Sequence, residues 1–231
     1  MEETGKSGVP DSHFHDPSVS KWLGYYGLTR EQFSNESDAL TGVFNAARKR
    51  GTGASEIFGL RLQRHSFDFF IQQLGILYSE LPSDKERIQA VFGNTLFIHL
   101  FRKDKLEQAI SFVKATQTGL SHKAIDGTEL ERISPPQDPF YDENAISQQL
   151  KSATKYDEEW YSWFAEEKIM PLFLTYDELS LAPHKALGRI LNYLGVEYSP
   201  VSEIQSPVAK MADGESKMWA GRYRAEKGGA R

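Results

Sequence analysis

The sequence predicts an α/β fold in which a mostly parallel sheet is covered by helices on both faces. Three apolar stretches have the length and composition of buried strands: Glu56–Leu62, Thr95–Phe101 and Pro171–Tyr176. Helical patterns separate them, and strands that alternate with helices favour parallel pairing. Three strands are few for this helical bulk, so the sequence also indicates that something upstream is absent.

The helices of the first half are indicated by capping residues and apolar spacing. Thr29 and Gln32 have the spacing of a capping box, and Asp38 to Arg50 carries one apolar face before Gly51 ends it. An apolar helix is expected from Ser66 to about Leu81, and Pro82–Glu86 caps the next one.

In the second half, a helix is expected to begin near Asp104, where Glu107 completes the capping spacing. Residues 119–141 show little periodicity and are predicted to form a long loop, a possible insertion at the acceptor site. Further helices are expected over the ranges Asp142–Glu167, Pro183–Leu194 and Glu215–Lys227.

Composition excludes several classes of function. The 231 residues are 39% hydrophobic and are expected to form one domain over residues 1–231. A net charge of −5 gives no general reason to expect a nucleic-acid partner, and no apolar run is long enough to cross a bilayer. The absence of cysteine excludes thiolate chemistry and, with no leader pattern at the start, favours the cytoplasm.

An anion site is indicated where the strand Thr95–Phe101 ends. Arg102 follows that strand directly, and Ser111 lies on the next helix, off its core-facing stripe. Ligands of α/β proteins collect where strands end and helices begin, and an Arg with a hydroxyl there can hold a phosphate. The alternative is an Arg that only covers a strand end, with a surface Ser.

Several short motifs occur in an order that resembles one family, the bacterial carbohydrate sulfotransferases related to trehalose 2-sulfotransferase, which include lipopolysaccharide sulfotransferases. The similarity is collinear from about residue 4 to about residue 226. Its motifs are Gly8-Val-Pro-Asp-Ser-His-Phe14, Phe58-Gly-Leu-Arg61, Ile98-His-Leu-Phe-Arg102, Ser111-Phe112, Thr116-Gln-Thr-Gly119, Phe140-Tyr-Asp142, Glu159-Trp-Tyr-Ser-Trp-Phe164, Lys210-Met-Ala-Asp213 and Trp219-Ala-Gly-Arg-Tyr223.

The resemblance implies a nucleotide-kinase-like fold that uses 3′-phosphoadenosine 5′-phosphosulfate, without a metal, to sulfate a carbohydrate hydroxyl of the glycolipid or lipopolysaccharide type. It implies that Arg102 and Ser111 bind the 3′-phosphate and that Arg61 stands where the family often has a Lys or Arg. His122 resembles a position near the acceptor channel, and His15 is a further acceptor candidate. A homodimer is a further implication.

The general base is left open by the sequence. Trehalose 2-sulfotransferase has a Glu two residues after the Pro of the first motif, and here that position is Ser12, beside Asp11 and His13. Asp11 could accept the proton directly, whereas the imidazole of His13 has the ordinary pKa best suited to a base near neutral pH. The chemistry favours His13 slightly.

The family's first strand and its Ser- and Gly-containing phosphosulfate loop have no counterpart in this sequence. Gly5-Lys-Ser-Gly8 has no preceding strand and does not qualify as that loop. A start codon assigned too late, or a short form impaired in transfer, would explain this, and the sequence favours the first.

Three further interpretations stay open at this stage. Arg222 and Tyr223 either reach the nucleotide or belong to a packed helix. The main alternative function is a noncatalytic α/β module that binds a sugar or a protein. An ATP-dependent kinase is disfavoured because no Walker loop is present.

Overall fold

A computed structural model of the chain describes residues 7–123, 128–197 and 214–228. The fold is α/β, as predicted, with a small parallel sheet. Its helices are α1 (Val19–Tyr25), a 3₁₀ turn (Arg30–Gln32), α2 (Glu36–Thr52), α3 (Arg64–Leu77), α4 (Asp84–Phe92), α5 (Lys105–Thr118), α6 (Glu143–Glu166), α7 (Tyr176–Leu181), α8 (Pro183–Tyr193) and α9 (Gly214–Gly228). Its strands are β1 (Ile98–Phe101), β2 (Leu120–Lys123), β3 (Glu129–Arg132) and β4 (Leu172–Thr175).

The described residues fall into two compact units. The first lies within Met1–Phe97, Trp160–Leu172 and Ile190–Tyr198, and the second within Ile98–Glu159, Phe173–Arg189 and Ser199–Arg231. The expectation of one domain over residues 1–231 stays a prediction.

The first unit is built around an aromatic core. The ring of Phe14 is fully buried, and its centroid lies 5.0 Å from Trp22, 5.2 Å from Phe44 and 5.1 Å from Phe70. Contacts of this kind add to the stabilisation from apolar burial. Phe14 directly follows the Asp11–His13 segment, so the core holds one end of that segment in place.

The second unit contains β1, the residues of its partner strand β4 from Phe173 onward, and an antiparallel hairpin formed by β2 and β3. Asp104 accepts a hydrogen bond from the backbone N–H of Glu107 at 2.9 Å, so α5 begins at the predicted cap. The core of this unit joins α5, α6 and α9 through Leu106, Ala109, Ile110, Val113, Ile146, Trp219, Ala220 and Tyr223.

Two segments differ from the sequence-based expectation. The strand predicted at Glu56–Leu62 is wrong, because among the described residues this segment forms a single parallel bridge, between Asp11 and Leu60. Ser55 turns the chain just before it, since its hydroxyl both donates to the carbonyl of Ile57 and accepts from the Ile57 N–H. The segment 119–141 is not only a loop, because it contains the β2–β3 hairpin.

Close backbone packing fixes the segment that leads to Ser12. The Gly51 carbonyl accepts hydrogen bonds from Val9 N–H at 2.7 Å and from Gly59 N–H at 3.3 Å. Gly8 has a φ of +71°, and a Cβ built on it would lie 2.2 Å from the carbonyl oxygen of Ile57. Only glycine fits this position without backbone movement.

Candidate functional site

Ser12 lies at the centre of a group of polar residues in the first unit, here called the Ser12 region, which comprises Asp11, Ser12, His13, Arg61 and Gln63. The Ser12 hydroxyl accepts from Nε of Arg61 at 2.7 Å and from Nε2 of Gln63 at 2.8 Å. A hydroxyl has two acceptor positions and one proton to donate. Both acceptor positions are therefore filled, and the arrangement suits Ser12 as a donor to a further oxygen atom.

Asp11 is held by its backbone and exposed at its carboxylate. Its carbonyl accepts from the Arg61 N–H at 2.9 Å, and its Oδ1 accepts from the Ser12 N–H at 2.7 Å. The residue as a whole is exposed. A carboxylate in this position is open to a hydroxyl group that approaches from solvent.

His13 is enclosed, in contrast to Asp11. It is 3% exposed, its Nδ1 lies 2.8 Å from the hydroxyl of Tyr26, and its ring stacks on Phe58 at 5.6 Å. Burial lowers the pKa of His13, the charge of Arg50 lowers it further, and the charge of Asp11 opposes both. Near neutral pH the imidazole is therefore uncharged, and Nε2 is buried without a hydrogen-bond partner in the described part of the chain.

His15 is exposed and packs edge-on against the ring of His65 at 4.7 Å. The Nε2 atom of His65 also lies 3.2 Å from the carbonyl oxygen of His15. These two imidazoles form a polar patch of the first unit.

Arg102 lies in the second unit, where β1 ends. Its side chain is 12% exposed, and Cζ lies 4.6 Å from the centroid of the Tyr176 ring. Its Nη2 lies 3.3 Å from Oε2 of Glu107. We call Arg102, Glu107 and Tyr176 the Arg102 region. The Arg102 guanidinium already contacts one carboxylate, so its N–H donors are arranged to bind an anion.

Ser111 is a half-buried residue of α5, on the same helix as Glu107. Its role at the 3′-phosphate stays a prediction.

A second charged cluster supports the turn that carries Arg102. Asp157 on α6 pairs with the ammonium of Lys105, the first residue of α5, and its Oδ1 lies 3.7 Å from Nε2 of His99 on β1. Burial alone would raise the pKa of Asp157, but the hydrogen bonds and charges of His99 and Lys105 outweigh it and lower the pKa. Asp157 thus ties the strand before Arg102 to the helix after it.

The remaining predicted site residues lie elsewhere. The guanidinium of Arg222 lies 3.9 Å from the centroid of the Tyr141 ring, and Tyr223 is buried with its hydroxyl 2.8 Å from that of Ser147. Both side chains thus take part in packing within the second unit, and their contact with a nucleotide stays a prediction. The His122 backbone belongs to β2, while its side chain lies outside the described residues.

The sequence did not indicate Tyr176, Gln63 or Asp157 as site residues. A polar residue in an apolar strand, His99, was the one available signal for the Asp157 cluster. Tyr176 and Gln63 carried no signal of their own, because each acts through a partner that is distant along the chain.

The described residues contain neither a candidate metal cluster nor a candidate membrane span. Within 7–123, 128–197 and 214–228, no three His, Cys, Asp or Glu side chains come together in a way that could hold a metal ion. No helix in that same part of the chain combines the length and the apolar character needed to span a membrane.

Comparison with known proteins gives a family match over nearly the whole chain. A family model described as Stf0 sulphotransferase matches residues 1–226. Two curated relatives are named trehalose 2-sulfotransferase. The one from Mycobacterium tuberculosis is 30% identical over 60% of this chain and 49% of its own length. The one from Mycolicibacterium smegmatis is 28% identical over 59% of this chain and 48% of its own length. The chain therefore spans about half the length of these relatives.

Proposed function

Since this chain belongs to the Stf0 sulphotransferase family, we propose that it transfers a sulfuryl group from 3′-phosphoadenosine 5′-phosphosulfate to a carbohydrate hydroxyl. The observation that carries this proposal is the Arg102 region. A guanidinium follows the end of β1 with a carboxylate on its edge, as expected for a group that binds a phosphate.

The transfer makes clear demands on the protein. The acceptor oxygen forms a bond to sulfur, the bond from sulfur to the phosphate oxygen breaks, and the hydroxyl proton passes to a base. Adenosine 3′,5′-bisphosphate leaves. Fixed donors and cations that meet the developing negative charge stabilise such a transition state. We assign the 3′-phosphate to Arg102 and Ser111, and contacts to transferred or acceptor oxygens to Arg61 and Ser12.

We propose Asp11 as the base, and His13 as the residue that packs behind it. The carboxylate of Asp11 is exposed, whereas His13 is 3% exposed and has a lowered pKa because of its burial. A base must come within hydrogen-bond reach of the proton that it removes. This reverses the slight preference for His13 that the sequence alone gave.

The acceptor is proposed to be a carbohydrate because two relatives are named trehalose 2-sulfotransferase. The same proposal includes a glycolipid or lipopolysaccharide-type acceptor with contacts from His15 and His122. It also includes nucleotide contacts from Arg222 and Tyr223, a homodimer and a cytoplasmic location. The cysteine-free composition supports the location.

Titration with adenosine 3′,5′-bisphosphate tests the donor. We expect the chain to bind it in calorimetry, and Arg102→Ala to weaken binding by about 1.5–3 kcal/mol, the usual loss for a charged hydrogen bond. Arg189→Ala is the matched control, because Arg189 is also in the second unit and pairs with Glu178 instead. Equal losses in both variants, or tighter binding of ATP than of the bisphosphate, would contradict the proposal.

A noncatalytic sugar- or protein-binding module is the second candidate, favoured by Ser12 at the position where trehalose 2-sulfotransferase has a Glu. A radiolabelled transfer assay with trehalose and glycolipid acceptors separates the two. Transfer that Asp11→Asn abolishes would support the sulfotransferase, whereas bisphosphate binding without any transfer would favour the binding module.

A further inference from the structure

The guanidinium of Arg102 is restrained on one face. Its Cζ lies 4.6 Å from the centroid of the Tyr176 ring, and the side chain is 12% exposed. Tyr176 is the first residue of α7, directly after β4, and Thr175 and Glu178 form a capping box at that helix start. The ring therefore projects from a well-fixed backbone, and a cation held over it loses little further freedom when it binds an anion.

The edge of the same guanidinium carries a loose contact. The Nη2 atom lies 3.3 Å from Oε2 of Glu107, whereas charge-assisted contacts of this kind are usually about 2.7–2.9 Å. The Glu107 side chain is 39% exposed. A carboxylate held this weakly can be replaced at Arg102 by a phosphate, which offers more charge and more oxygen atoms.

The neighbouring carboxylate is occupied elsewhere. Asp104 caps α5 through Oδ1 and pairs with Arg224 through Oδ2 at 3.0 Å. Glu107 is therefore the carboxylate in the first turn of α5 that meets Arg102.

We propose that Tyr176 and Glu107 are positioning residues of a preformed anion receptor. Tyr176 holds the plane of the Arg102 guanidinium, and Glu107 occupies, in the free chain, the edge that a phosphate takes. Binding of the phosphate displaces Glu107. The identity of the phosphate as part of adenosine 3′,5′-bisphosphate rests on the proposed function, but the arrangement of the receptor does not.

The two residues have opposite expected effects. Loss of the Tyr176 ring leaves the guanidinium free to move, so we expect Tyr176→Leu to weaken anion binding about three- to tenfold, with Tyr176→Phe near wild type. Loss of the Glu107 charge removes both a competitor and a repulsive neighbour, so we expect Glu107→Gln to strengthen binding about three- to tenfold. General damage to the fold would weaken binding, so a gain in affinity would report the loss of the Glu107 charge itself.

The experiment titrates the wild type and these three variants with adenosine 3′,5′-bisphosphate and, separately, with inorganic phosphate. Glu129→Gln is the control for net charge, because this carboxylate of the same unit pairs with Arg132 rather than Arg102 and lies outside the receptor. A gain in Glu107→Gln that is absent in Glu129→Gln, with Tyr176→Leu weakened and Tyr176→Phe retained, supports the proposal.

Three results would overturn it: no binding of either probe by the wild type, equal gains in both Glu→Gln variants, or a loss in Tyr176→Phe as large as in Tyr176→Leu. A different result is also informative: the wild type and variants show the predicted order of affinities for inorganic phosphate but do not bind the bisphosphate. That result would support this receptor and contradict the proposed donor.

Discussion

The Ser12 region and the Arg102 region are held by different forces. Ser12 lies among short hydrogen bonds of 2.7 and 2.8 Å, on a backbone that packs closely against Gly51 and Ile57. Arg102 is held by the face of an aromatic ring and by a carboxylate contact at 3.3 Å. Substitutions that affect the backbone should therefore damage the first region, while changes of charge and pH should affect the second.

The largest effect is expected from Gly8→Ala, which tests whether backbone packing supports the Ser12 region. A Cβ at this position would meet two carbonyl oxygens, at 2.2 and 2.5 Å, on a residue with positive φ. We expect a loss of about 2–4 kcal/mol in the free energy of unfolding, measured by chemical denaturation. Gly24→Ala is the control, since a Cβ there meets nothing within 4 Å. A loss under about 1 kcal/mol for Gly8→Ala would contradict the view that close backbone packing supports the Ser12 region.

The next effect is expected from Asp157→Asn, which tests the dependence of the Arg102 region on charge. Removal of the carboxylate breaks its ion pair with Lys105 and its contact with His99, so we expect a loss of about 1–3 kcal/mol in the free energy of unfolding near neutral pH. Asp68→Asn is the control, because Asp68 pairs with Arg64 in the first unit and its side chain is largely exposed.

The pH dependence of that loss has a definite sign. The pKa of Asp157 is lowered from 3.8, so its stabilising effect is present above that pH and is lost as the pH falls through the lowered value. The difference between the wild type and Asp157→Asn should shrink below about pH 4. A constant difference from pH 7 to pH 3 would show that the residue acts through packing alone.

The smallest effect is expected from Ser12→Ala. It removes one hydroxyl that accepts from Arg61 and Gln63, and Arg61 is exposed enough to find water instead. We expect a loss of about 0.5–1.5 kcal/mol in the free energy of unfolding. Ser12→Thr is the control, because it keeps the hydroxyl. A loss as large as that of Gly8→Ala would show that side-chain hydrogen bonds, not the backbone, support the region.

Local signals in the sequence were sufficient for much of the fold. The cap at Asp104 and the apolar strand Pro171–Tyr176 each led to a correct element, α5 and β4. The segment Glu56–Leu62 failed because its strand-like composition was outweighed by the turn at Ser55 and by close packing of Gly59 on Pro10. Tertiary contacts override β propensity in this way, since that propensity depends on the partners of the strand.

The candidate site was predictable only in part. The sequence indicated Arg102 because an Arg at a strand end has a local pattern. It could not indicate Tyr176 or Gln63, because their importance depends on which distant side chain they meet. The burial of His13 was likewise invisible, since a His in a polar segment gives no sign that Tyr26 and Phe58 enclose it.

The carbonyl of Gly51 has a kinetic consequence for the segment that bears Ser12. One oxygen atom accepts from the amides of both Val9 and Gly59. If α2 frays at Gly51, both amides lose their acceptor in a single opening event, and their hydrogens exchange with solvent deuterium at a common rate. The stretch before Ser12 and the turn before Arg61 thus open as one cooperative unit. A partly opened chain therefore loses the fixed positions of Ser12 and Arg61 together.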